Sequence, residues 1–122
     1  MSKKKILVVD DSNTILLMER MMLSRDYDVI TAKDGADAVL KANGDSPDLI
    51  LLDVMMPRMN GFEACKVLKT QDNTKHIPII MVTTRGEEPS VESGFSSGCN
   101  DYVTKPINNV ELLSKVRNFL GE

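Results

Sequence analysis

The chain has 122 residues, 42% hydrophobic and 27% charged, with 15 basic against 18 acidic side chains and a net charge of −3. That length holds one domain, and the composition is that of a globular fold, which excludes a disordered, collagen-like or disulfide-scaffold chain. A core of this size forms without a metal or a bridge, and the mild acidic excess argues against nucleic acid as a direct partner, whose phosphates call for clustered Lys and Arg.

From the N-terminus, Lys3 to Lys5 form a charged lead-in to the apolar run Ile6-Leu7-Val8-Val9, which Asp10-Asp11 stops. The run is too short for a signal sequence, and no later stretch reaches the length of a membrane span, so the sequence predicts a cytoplasmic protein without membrane contact. Ser12 stands where an N-cap belongs, and Ile15, Met18 and Met22 are predicted to share the buried face of a first helix. Val29-Ile30 marks a second strand. Asp34 caps a second helix, which Gly44 and the following Pro47 are expected to close. Leu49-Ile50-Leu51-Leu52 runs directly into Asp53. Asn60, with Glu63 three residues on, is a capping-box signature for a third helix whose apolar face carries Phe62, Cys65 and Leu68. Ile77 and Ile79 to Val82 make a fourth strand that ends in Thr83-Thr84.

A fourth helix between Gly86 and Gly98 is poor. Pro89 is tolerable only in its first turn, and Gly94 costs about 1 kcal/mol against Ala, so this is expected to be the least stable element. Tyr102-Val103 is a weaker fifth strand, leading to Thr104-Lys105-Pro106. Asn108 with Glu111 opens the last helix, with Leu112 or Leu113, Val116 and Phe119 or Leu120 along one stripe. Continuous rather than alternating apolar runs mark strands covered on both faces, as in a parallel sheet. Five βα units make an α/β fold, a three-layer sandwich around a five-stranded parallel sheet. Cys65 and Cys99 fit no metal-ligand spacing and read as reduced thiols, and His76, the single histidine, reads as a solvated loop residue.

The polar chemistry sits where strands end. Asp10-Asp11 follows the first strand, Asp53 the third, Thr83-Thr84 the fourth and Thr104-Lys105 the fifth, and in a parallel sheet the binding crevice lies outside those carboxyl ends. Three neighbouring carboxylates raise one another's pKa unless a cation joins them. An all-oxygen cluster without His or Cys suits Mg²⁺ better than Zn²⁺. Any one of these residues alone is ordinary, since an Asp after a strand commonly serves as a helix cap. Complementary chemistry on four strand ends is not.

Val8-Val9-Asp10-Asp11-Ser12, Leu51-Leu52-Asp53-Val54-Met55-Met56-Pro57 with Asn60-Gly61, Met81-Val82-Thr83, and Asp101-Tyr102-Val103-Thr104-Lys105-Pro106 together resemble the receiver domain of two-component response regulators, over essentially the whole chain. The resemblance implies a flavodoxin-like sheet of order 2-1-3-4-5 and a stand-alone receiver spanning 1–122 with no output domain. It implies that Asp53 is a phosphoacceptor, charged by a histidine kinase or phosphotransfer protein, in a domain that catalyses its own phosphoryl transfer and is not otherwise an enzyme. Asp10, Asp11, Asp53 and the Met55 backbone carbonyl would hold Mg²⁺. Lys105 and the Thr83 hydroxyl would bind phosphoryl oxygens. Thr83 and Tyr102 would form the switch, presenting a downstream protein with a face made of the fourth helix, fifth strand and fifth helix.

The sequence departs from chemotaxis-type receivers at three positions, with Met55 in place of Asn, Arg85 in place of Glu and Thr84 in place of the commoner Ala. All three would border the path of water to the acyl phosphate, which predicts a longer phosphoryl lifetime. A flavin-mononucleotide binder would need a Gly- and hydroxyl-rich loop where Asp10-Asp11 stands, and a haloacid-dehalogenase-type phosphatase a second Asp where Met55 stands. The remaining alternative is a receiver-fold binding module that acts without phosphorylation, in which the site would normally be broken.

Overall fold

The structure, a computed structural model, describes residues 3–54, 56, 59–84 and 98–121. Within them run β1 (Lys5–Val9), α1 (Asn13–Leu23), β2 (Asp28–Ala32), α2 (Gly35–Asp45), β3 (Leu49–Asp53), α3 (Gly61–Thr70), β4 (Ile79–Thr84), β5 (Asp101–Lys105) and a C-terminal helix (Asn109–Leu120). The strands are parallel in the order β2-β1-β3-β4-β5, a flavodoxin-like sheet. The predicted fourth helix, between Gly86 and Gly98, lies outside the described residues.

Strand side chains alternate between two cores, which is why the apolar runs are unbroken. Leu7 and Val9 of β1, Ile50 and Leu52 of β3, and Ile79 and Met81 of β4 pack with Ala38 and Ala42 of α2 and with Ala64, Cys65 and Leu68 of α3. Their neighbours Ile6, Val8, Leu49, Leu51, Ile80 and Val82 face the other way, against Leu16 and Leu23 of α1 and Leu112, Val116 and Leu120 of the C-terminal helix. Both cysteines, Cys65 and Cys99, are buried and in no disulfide.

The helix starts follow the sequence. Ser12, Asp34, Asn60 and Asn108 each accept a hydrogen bond from a backbone N–H three residues on, at Ile15, Asp37, Glu63 and Glu111. Asn60 and Glu63 form the complete reciprocal box.

Two expectations need correction. The second helix runs through Gly44 to Asp45 and ends at Ser46, whose φ of 48° puts a serine in the left-handed cap position expected near Gly44. In α1 the buried stripe is Leu16, Glu19 and Leu23. Met18 is 47% exposed, and Ile15 and Met22 are half-buried. Four consecutive apolar residues, Ile15 to Met18, let the periodicity fit either face. The stripe chosen places a glutamate in the core.

Candidate functional site

Pairing of the central strands continues past their ends and so fixes the rim of the sheet. The Asp10 N–H donates to the Ala32 carbonyl at 3.1 Å, and the Val54 N–H to the Val82 carbonyl at 3.2 Å. Asp10 therefore leaves β1, and Asp53 leaves β3, from a fixed backbone, with β1 and β3 adjacent at the middle of the sheet. The loop after Asp53 returns at once, because the Gly61 N–H donates to the Val54 carbonyl at 2.9 Å. A Cβ at position 61 would overlap the Asp53 carbonyl oxygen and lie 2.9 Å from the Val54 Cα, so this close approach requires glycine.

Asp10, Asp11 and Asp53 each bring a carboxylate oxygen within 4.8 Å of the others. Asp10 and Asp53 are buried, and Asp11 is exposed. Lys105, at the end of β5, reaches this cluster: its Nζ lies 3.0 Å from Asp10 Oδ2 and 3.2 Å from Asp53 Oδ1. The other Asp10 oxygen accepts the Ser12 N–H at 3.0 Å. The peptide bond that follows, Lys105–Pro106, is cis. Thr83 is 3% exposed, one residue beyond the β4 partner of Asp53. Tyr102 lies on β5, its ring 5.2 Å from the Lys115 Nζ. Lys115 also donates to the Tyr102 carbonyl at 2.6 Å and to Asp101 Oδ1 at 3.2 Å, tying the C-terminal helix to the strand.

The electrostatics follow from burial. Asp53 is pushed up to about 6, by burial first and then by the Asp10 charge, against the opposing charge and hydrogen bond of Lys105. For Lys105, burial would lower the pKa, but its hydrogen bond to Asp10 and the charges of Asp53 and Asp10 outweigh that and raise it. Glu19, an acid that the apolar pattern of α1 does not single out, is 1% exposed. Burial, followed by the Asp10 charge, pushes it up to about 8, with Lys105 pulling the other way and Asp53 adding to the rise. It lines a cleft of about 370 Å³ with Ile15, Met18, Met22, Lys105, Pro106 and Ile107.

The donor set suits a small hard cation. Oxygens bound to Mg²⁺ stand about 3 Å apart when adjacent and about 4.2 Å when opposite, so the three carboxylates, within 4.8 Å of one another, would draw together around the ion. Burial and the Asp10 charge together lift Asp53, and such an ion would offset both. The structure thus brings together Asp10, Asp11, Asp53 and Lys105, with Thr83 buried at the same rim. Met55, with its carbonyl, the Thr84 side chain and Arg85 lie outside what is described. Among the described residues, no helix is long and apolar enough to cross a membrane.

Comparison with known proteins agrees with this geometry. The family model described as the response regulator receiver domain matches residues 6–117. The protein PilH of Pseudomonas aeruginosa is 38% identical over 118 residues, covering 96% of this chain and 98% of PilH. The chemotaxis response regulator CheY4 of Vibrio cholerae has a solved structure that is 36% identical, with a TM-score of 0.89, over 97% of this chain and 99% of that one. The receiver domain of the sensor histidine kinase PA1611 of Pseudomonas aeruginosa PAO1, solved with a magnesium ion coordinated in its active site cleft, is 30% identical with a TM-score of 0.91, over 99% of this chain and 100% of that one. Other curated relatives are longer proteins, of which the chain spans a quarter to a half.

Proposed function

The chain belongs to the receiver domains of two-component response regulators, and we propose that it takes a phosphoryl group from a histidine kinase or phosphotransfer protein onto Asp53. The observation that carries this reading is the Lys105 ammonium bound to both Asp10 and Asp53 at the carboxyl edge of the sheet. A carboxylate held between a cation and two further acids is built to accept a group that is itself anionic, provided that charge is neutralised. Asp10, Asp11 and Asp53 would hold Mg²⁺, with the Met55 carbonyl as a further ligand, and the ion would supply charge neutralisation.

In the transfer, an Asp53 carboxylate oxygen attacks phosphorus in line. The new O–P bond forms as the N–P bond to the donor imidazole breaks, and the electron pair stays on the departing nitrogen. Lys105 and the Thr83 hydroxyl meet the phosphoryl oxygens. Leu17, Met18 and Met21, exposed on α1, give the donor protein an apolar surface to lie against, and Met18 also borders the cleft that Lys105 lines. Output passes through Thr83 and Tyr102 to a protein that reads the face of the expected fourth helix, β5 and the C-terminal helix, where Lys115 already links strand to helix.

The test is incubation with a small phosphodonor, with and without Mg²⁺, read as a mass shift. A metal-dependent adduct on wild type that is absent from Asp53→Asn is expected. No adduct, or an equal adduct on Asp53→Asn, would overturn the proposal.

A further inference from the structure

Among the described residues, Glu19 is a buried acid with no capping role and no place in the transfer at Asp53. Its Oε1 accepts no hydrogen bond from them, although a buried polar atom without a partner is costly and uncommon in native folds. Lys105 lines the same cleft, whose other walls are the side chains of Ile15, Met18, Met22, Pro106 and Ile107. Apolar walls strengthen any ion pair formed between them.

Lys105, for its part, is bound to Asp10 Oδ2 and Asp53 Oδ1, oxygens of the carboxylates that a cation in this cluster would need. Two positive centres on the same carboxylates repel, so the ammonium must give ground as a divalent cation enters. It is only 23% exposed, and the cleft offers it an acceptor.

Resting on the reading of the acid cluster as a divalent-cation site, we infer that Glu19 is a positioning residue for Lys105: its unpartnered oxygen is the seat the ammonium takes when the cation claims Asp10 and Asp53. A lysine caught there stays at the rim, within the site, instead of being lost to solvent. The charges already speak to one another, since Lys105 acts on Glu19 alongside Asp10 and Asp53. A leucine at this position would complete the Leu16–Leu23 stripe of α1 and would leave Lys105 with no second acceptor in the cleft.

The experiment is a double-mutant cycle on Mg²⁺ affinity, followed by amide shifts of the isotope-labelled chain, with wild type, Glu19→Leu, Lys105→Met and the double variant. Buffer on the alkaline side of about 8 keeps Glu19 ionised. Glu19→Leu is expected to weaken Mg²⁺ binding about fivefold when Lys105 is present and to leave it unchanged in the Lys105→Met background, the coupling that neighbouring charges show. Unchanged affinity in the wild-type background overturns the inference. So does equal weakening in both backgrounds, which would make Glu19 a general negative charge. Failure of Mg²⁺ to bind wild type overturns the cation-site reading itself. If Glu19→Leu does not fold, Glu19→Gln takes its place in the cycle, read by the same criteria.

Discussion

Glu19→Gln should make the metal-free protein more stable, by an amount that grows with pH. Glu19 has its pKa raised from 4.5 to about 8 in the folded chain. An acid whose folded pKa is raised binds more protons folded than unfolded across that window, so stability is lost as pH rises from the lower value towards the higher. The shift is 8 − 4.5 = 3.5. At about 1.36 kcal/mol per pKa unit, that is a ceiling of about 5 kcal/mol above pH 8, of which about 3 kcal/mol is already lost at pH 7. The side chain is 1% exposed, so little solvent screening reduces this figure. Glutamine has nearly the same shape and cannot ionise.

The assay is urea unfolding of both proteins, in chelator, from about pH 5 to about pH 9, where two-state extrapolation gives each stability. Any offset from the glutamine amide itself is the same at every pH and drops out. The stability difference should widen with pH by several kcal/mol, most of it below neutrality. A difference that stays flat would refute the burial and repulsion assigned to Glu19.

Two other outcomes follow from the rim. Gly61→Ala should cost about 1–3 kcal/mol in chemical unfolding, as overpacking against backbone does, because the new methyl meets the Asp53 carbonyl oxygen; an unchanged midpoint would show that the loop can yield. Met55→Asn combined with Arg85→Glu should shorten the lifetime of the phosphorylated chain, followed by intact mass after removal of the donor, and an unchanged decay would mean that these side chains do not control water.

The sheet and the rim were legible because they depend on local signals. Strands buried on both faces, such as Leu49-Ile50-Leu51-Leu52, must be apolar at every position, and the polar residues that end them must stand at the edge. Caps at Ser12, Asp34, Asn60 and Asn108 need only one side chain and one nearby N–H, so spacing finds them. The α1 face was not legible, since Ile15, Leu16, Leu17 and Met18 are all apolar and only packing into the core that also holds Ile6 and Val8 of β1 selects Leu16 and Leu23. The sequence places Lys105 at the same rim as the acids but not in contact with Asp10 and Asp53, a long-range contact set by sheet order and not by sequence distance. A signal for Glu19 did exist: it lies three residues after Leu16 and four before Leu23, an acid in the middle of an apolar spacing.

Asp10, Asp11 and Asp53 set the charge balance of the rim. Three carboxylates less the Lys105 ammonium leave two negative charges, the number a divalent cation neutralises. Without the cation, Lys105 is the counterion that lets Asp10 and Asp53 remain buried together, and the raised pKa of Asp53 shows that it compensates them only in part. Loading the site therefore gives Asp10 and Asp53 a second counterion, and the ammonium, still needed nearby for neutrality, must shift to a new acceptor. A fold selected for stability alone would place leucine at position 19. A glutamate there weakens the metal-free chain with rising pH and provides the lysine with an acceptor at the step where it leaves Asp10. The same residue is then a liability in one state and a partner in the other, as expected where stability is given up at a working site.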